Sequence, residues 1–162
     1  MIFGALQAIT TLVIDPSFNN LEIQESKHNI NQALSMVNYR LSSLLGQLRD
    51  YSFWDDTYNF VQNKNQEYVE NNFVESTFEN LNLNLIAIAD NNSNIVYCQS
   101  FDLNNSVKVQ TSEETKKALT FDENIWLFHS IEDSISGIML VDNQPMIVAT
   151  APILTSLSQG PK

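Results

Sequence analysis

Residues 84–101 read NLIAIADNNSNIVYCQSF. Two runs of β-branched, aliphatic and aromatic residues, 84–90 and 95–101, flank the string Asn91-Asn92-Ser93-Asn94. Asn and Ser tolerate left-handed backbone and bond to their own main chain, so this spacing predicts an antiparallel hairpin. Residues before the hairpin have helical period, and those after it return to strand period. Helices first and hairpins after is the order of an α+β domain.

Upstream, Ile30, Leu34, Val37, Leu41, Leu44, Leu48 and Tyr51 recur on alternating four- and three-residue steps. That is a heptad seam. Ile23 extends it, with Lys27 as the break, and Ala33, Met36 and Leu45 widen the stripe. One helix is expected over 18–50, roughly 50 Å long at the rise of an α-helix. A helix of that length either packs on a partner helix or projects from its own domain. Between seam and hairpin, aromatic and acidic residues alternate at helical spacing without glycine or proline. Short helices are expected over 55–62, 66–71 and 74–81.

Downstream, 106–110 reads as a short strand, and 112–119 (SEETKKAL) as a helix opened by Ser112. Residues 125–129 are ambiguous. Residues 136–141 and 146–153, joined by Asp142-Asn143-Gln144, predict a second hairpin. The expected architecture is therefore α+β: a long N-terminal helix, short helices, then an antiparallel PAS/Cache-like sheet. The long helix would cover one face of that sheet, and the other face would hold a pocket.

Composition narrows function. The 162 residues carry 19 acidic and 8 basic side chains, a formal net charge of −11. Contact with a phosphate backbone needs clustered cations. Only Lys116-Lys117 are adjacent, and Glu113 and Glu114 stand just before them. This argues against nucleic acid and against flat docking on anionic lipid. The single cysteine, Cys98, allows no intrachain disulfide. His28 and His129 stand apart and in no ligand spacing, so neither metal nor cofactor is expected. Residues 1–14 are uncharged but shorter than the roughly 20 residues a bilayer span needs. They read either as a buried first element or as the outer end of a transmembrane helix.

The string Trp54-Asp55-Asp56-Thr57-Tyr58, followed by Phe60-Val61 and by Asn65 with Tyr68, resembles the fourth type of CHASE domain. The name abbreviates cyclases/histidine kinases associated sensory extracellular. The resemblance continues through 82–86, Asp90 and Ile95-Val96-Tyr97. It extends on through 137–141, Pro145-Met146, Ala149, the string 151–156 (APILTS) and Gly160-Pro161. It spans nearly the whole chain, in order. Two places depart from the family's pattern: Asp50-Tyr51-Ser52 replaces an Asp-Trp-Ala lead-in, and Ser93-Asn94 stand where the hairpin turn usually ends in Gly.

The resemblance implies an extracytoplasmic sensor between two transmembrane helices of a histidine kinase, a diguanylate cyclase or a similar receptor. On that basis 1–14 is expected to be the outer end of a truncated transmembrane segment, and 15–162 the sensor domain without its last strand. The domain itself is expected not to be an enzyme, the output domain lying elsewhere in the receptor at the cell membrane. Its partners would be a small-molecule ligand and a second copy docked through the 18–50 helix, with flanking helices in the membrane.

The ligand is expected between the sheet and the segment 54–68. Trp54 and Tyr58 stand four residues apart, so in a helix they would share a face. Together they offer apolar surface, an N–H and an O–H. Asp55 lies one residue off that face as an acceptor for a cationic or hydroxylated ligand, and Tyr68 and Tyr97 would close the pocket. Against this stands plain packing, with Trp54 and Tyr58 anchoring the segment to the long helix and Asp55 and Asp56 serving a helix N-terminus. Two other functions compete: a structural dimerisation stalk, and a hydrolase using Asp55 and Asp56. The hydrolase suffers because adjacent helical residues diverge by about 100°.

Overall fold

A computed structural model describes residues 15–121, 123–130, 133–141 and 143–160. The expectation for 1–14 lies outside them. The chain divides into two compact units, one ending at Arg40 and the other beginning at Leu41.

Helix α1 (Asp15–Ser52) follows the heptad seam and runs a few residues past both expected ends. Within the first unit it exposes Leu21, Ile23, Ile30, Leu34 and Met36 to solvent. Within the second, Leu41, Leu48 and Tyr51 of the same seam are half-buried and Leu44 is buried.

Three short helices come next: α2 (Asp55–Asn63), α3 (Gln66–Asn72) and α4 (Glu75–Leu81). Their ends are made without glycine. Lys64 and Asn82 take left-handed φ of 54° and close α2 and α4. Asn65 caps α3, its side-chain oxygen accepting the N–H of Glu67 at 3.0 Å. Left-handed backbone suits Asn, but a lysine there is unusual.

The first hairpin pairs β1 (Leu85–Ala89) with β2 (Ile95–Asp102). Asp90 shapes the turn by accepting the N–H groups of Asn92 and Asn94, each at 2.9 Å. Ser93 takes a φ of 61°, supplying the left-handed residue where the family's usual glycine is missing. The register slips between Ile88 and Ala89, leaving a bulge at Val96. Strand β3 (Val107–Val109) then pairs antiparallel with β2. Asp102 organises that second turn in the same way, through Asn104 and Asn105.

Helix α5 (Glu113–Phe121) starts on Ser112, whose hydroxyl accepts the N–H of Thr115 at 3.0 Å. The ambiguous stretch resolves as a 3₁₀ turn, Glu123–Trp126, followed by irregular chain. Strands β4 (Ile135–Val141) and β5 (Gln144–Thr150) form the second hairpin. The α+β order and the antiparallel pairing are as expected. Among the described residues the strands form two antiparallel sheets, β1-β2-β3 and β4-β5. Strand period ends at Thr150, because Pro152 has no N–H for a ladder and 151–153 run as irregular chain.

The core of the second unit lies where α2, α3 and α4 meet β1 and β2. Phe60, Tyr68, Phe73, Phe78, Ile88 and Phe101 form one buried cluster. Stacked ring pairs tie the layers together. Phe60 on Tyr68 (4.9 Å) joins α2 to α3, and Phe73 on Tyr97 (4.8 Å) joins the α3–α4 link to β2. Phe78 on Phe101 (5.0 Å) joins α4 to β2. Each such pair adds roughly 0.5–1.5 kcal/mol beyond the area it buries.

Candidate functional site

Trp54 stands at the turn between α1 and α2. Its backbone is extended (φ −117°, ψ 129°), so it is the cap residue of α2 and not part of the helix. Its carbonyl still accepts the Tyr58 N–H at 3.0 Å, the first helical bond, but no described ring contact joins the two side chains. The Trp54 indole instead meets Tyr51 edge-on at 6.2 Å and Tyr68 at 6.4 Å, and stays 39% exposed. Tyr58 is half-buried and has no part in the described ring contacts.

Tyr68 is buried, and its hydroxyl shares a hydrogen bond of 2.6 Å with the buried hydroxyl of Thr57. Tyr97 is half-buried with its ring between Phe60 and Phe73. Desolvation pushes the phenol of Tyr97 up to about 12 and raises that of Tyr68, which its bond to Thr57 partly offsets. So Trp54, Tyr68 and Tyr97 belong to one connected aromatic array with Tyr51, Phe60 and Phe73. Trp54 is its solvent-facing edge. Phe73 and Tyr51 are central to the array and were not among the expected ligand contacts, although Tyr51 closes the heptad seam. The signal that would have found them is the spacing of Phe73 from Tyr68 and of Tyr51 from Trp54.

Asp55 is the first residue of α2, as expected, but its carboxylate is engaged elsewhere in the chain. Its carboxylate does not cap α2, whose cap residue makes no side-chain bond. Oδ1 accepts the backbone N–H of Ser156 at 2.9 Å, and Oδ2 accepts the Ser156 hydroxyl at 2.7 Å. The physical reason is position. As the first residue of α2 its side chain leans out of the helix end, where the chain following β5 passes. The N–H and then the hydroxyl of Ser156 hold the Asp55 carboxyl below the usual carboxylate range. Asp56, exposed beside it, takes no part in these bonds.

No group of three or more His, Cys, Asp or Glu side chains is gathered as a metal site among the described residues. Cys98 is half-buried, its Sγ 3.8 Å from the Thr111 hydroxyl, and burial raises its thiol. No helix among the described residues is long and apolar enough to cross a membrane.

An array joining the Trp54–Tyr58 string to β2, with the 151–156 string bonded to Asp55, unites the motifs on which the family resemblance rests. The profile of the CHASE4 domain matches residues 36–162. The chain belongs to the CHASE4 family and is a sensory domain of a signalling receptor. It is also 25% identical over 145 residues to the methanogenesis regulatory histidine kinase FilI of Methanothrix harundinacea (strain 6Ac). That match covers 90% of this chain and 16% of the relative, so the chain spans about a sixth of the relative's length. No solved structure matches the chain.

Proposed function

We propose that this chain is the extracytoplasmic, ligand-sensing domain of a transmembrane receptor with a histidine kinase output. The observation that carries the reading is the sensory-family match over most of the chain. The similar protein's designation as a regulatory histidine kinase favours a kinase over a diguanylate cyclase. Sensing requires a ligand with different affinities for two states of the domain. The site proposed for it is the exposed edge of the aromatic array, with Trp54 and Tyr58 as contacts and Asp55 as acceptor. Tyr68 and Tyr97 would lie behind them. The partner is a second copy, docked through the seam of α1. The exposed Ile23, Ile30 and Leu34 continue in register the stripe that is buried further along the helix.

The mutual ring contacts favour one other reading, in which the array is packing only and the domain is a structural stalk. A thermal-shift panel of amino acids, small amines, organic acids and sugars separates the two. At a hundredfold excess over Kd a ligand adds about 2.7 kcal/mol. That raises the melting temperature by several degrees. The rise should shrink in Asp55→Asn and in Tyr97→Phe. Absence of any shift across the panel, with unchanged output from Asp55→Asn in a chimaeric kinase, would leave the stalk.

A further inference from the structure

The chain after β5 is hooked twice to the corner between α1 and α2. Leu154 donates its backbone N–H to the carbonyl of Ser52 at 2.8 Å, and both residues are buried. Two residues on, Ser156 donates its N–H and its hydroxyl to the Asp55 carboxylate, and this pair is open to solvent. Beyond Ser156 the chain bonds to itself. Thr155 donates its N–H to the carbonyl of Gln159 at 2.9 Å, and Ser158 its N–H to that of Thr155 at 2.8 Å. The Thr155 hydroxyl accepts the N–H of Gln159 at 3.1 Å. Ser158 takes a φ of 57° to close this loop. Gly160 then returns against Leu154, where an added Cβ would stand 3.2 Å from its Cδ2.

We propose that this joint is a latch: Leu154 is the fixed pivot, and the Asp55–Ser156 pair is a catch that releases residues 155–159 as one piece. The two halves differ in what opening them exposes. Freeing Leu154 brings a fully buried apolar side chain into water, which is strongly unfavourable. Freeing Ser156 exchanges exposed hydrogen bonds for bonds to water and brings no buried apolar side chain out, a smaller change. The loop's own three bonds do not involve Asp55, so they survive release and the piece moves without unravelling. The catch also joins the residues that stand at the end of α1 to the segment after the second hairpin, across 101 positions of sequence. Its state therefore reports on the alignment of those two stretches. Any use of that in signalling rests on the sensory reading above; the opening itself does not.

Amide hydrogen exchange on the 162-residue chain tests the latch independently of signalling. Asp55→Ala is expected to speed exchange at Ser156 at least tenfold, while Leu154 and the β2 amide of Phe101 keep their rates. Thr155 and Gln159 should remain as protected relative to one another as before. Ser156→Ala keeps the N–H bond and loses the hydroxyl, so it should give a smaller rise, and it serves if Asp55→Ala does not fold. An unchanged rate at position 156 in both variants would mean that the pair holds nothing. Equal acceleration at Phe101 would mean that it is a staple of the whole fold. Either result overturns the latch.

Discussion

Thr57 and Tyr68 show how much one buried pair of hydroxyls can decide. Both are buried, and each is the other's partner at 2.6 Å. Tyr68→Phe removes one oxygen and strands the other in the core, at a cost of about 1–3 kcal/mol. Thr57→Val should cost a similar amount by the same argument. The double variant leaves no orphan, so urea denaturation should find it clearly less destabilised than the sum of the two. A strictly additive result would show that water reaches the pair. Charge at single residues makes a second prediction. Asp55, Asp90 and Asp102 are each held below the ordinary carboxylate range, chiefly by hydrogen bonds from Ser156, Asn94 and Asn105. A carboxyl depressed in the folded state stabilises it above its unfolded value of about 4 and ceases to do so as pH falls through the folded value. Tyr97 has the opposite sign: its contribution is present below about pH 10 and is lost as pH rises toward its folded value of about 12. Melting temperature against pH should therefore fall below about pH 4. It should fall again on the alkaline side, and the alkaline loss should shrink in Tyr97→Phe.

At the scale of an element, α1 carries one stripe with two fates. Leu34 is 56% exposed and Leu44 only 8%. The seam looks alike at both positions, since the periodicity that predicts a buried helix face does not say what buries it. Leu44→Ala should cost about 2–5 kcal/mol of unfolding free energy, the usual range for a buried leucine. Leu34→Ala should leave that quantity within about 0.5 kcal/mol, as exposed substitutions do. Leu34→Asp, in contrast, should weaken self-association in sedimentation if the second copy docks there. A chain that is monomeric at high concentration, and indifferent to Leu34→Asp, would remove the dimer. The short helices obey a different logic. Their bounds were legible to within a residue or so, because Asn65 and the first-turn acids of α2 are local signals. Their packing was not, because Phe60, Tyr68 and Phe73 find one another only in three dimensions.

For the whole molecule, the antiparallel strands expected after the helices fall, among the described residues, into two sheets of unequal standing. The β1-β2-β3 sheet contributes Ile88 and Phe101 to the core, whereas β4 alternates half-buried residues with exposed Ile138 and Leu140. A two-stranded ribbon is marginal by itself. It is held here partly by the Thr150 hydroxyl, which donates to the Ile125 carbonyl at 2.8 Å. Native-state hydrogen exchange should accordingly find β4 and β5 opening at lower free energy than β1 and β2. Equal protection in both hairpins would contradict that ranking.

The amino-acid order alone determined the elements whose hydrogen bonds are local. These are the helix of α1 through its heptad repeat, the cap of α5 through Ser112, and both hairpins through their turns. It also determined the family, since the strings at 54–58 and 151–156 are read without coordinates. Only the tertiary structure decided that those two strings are joined, through Asp55 and Ser156, and that Asp55 is no helix cap. Only it placed Trp54, Tyr68 and Tyr97 in one aromatic array, and divided the strands between two sheets. The physical reason is the range of the interactions. A turn or a helical bond closes within a few residues and leaves its mark in composition. A contact between residues 101 positions apart depends on how every intervening element packs, which no local pattern encodes.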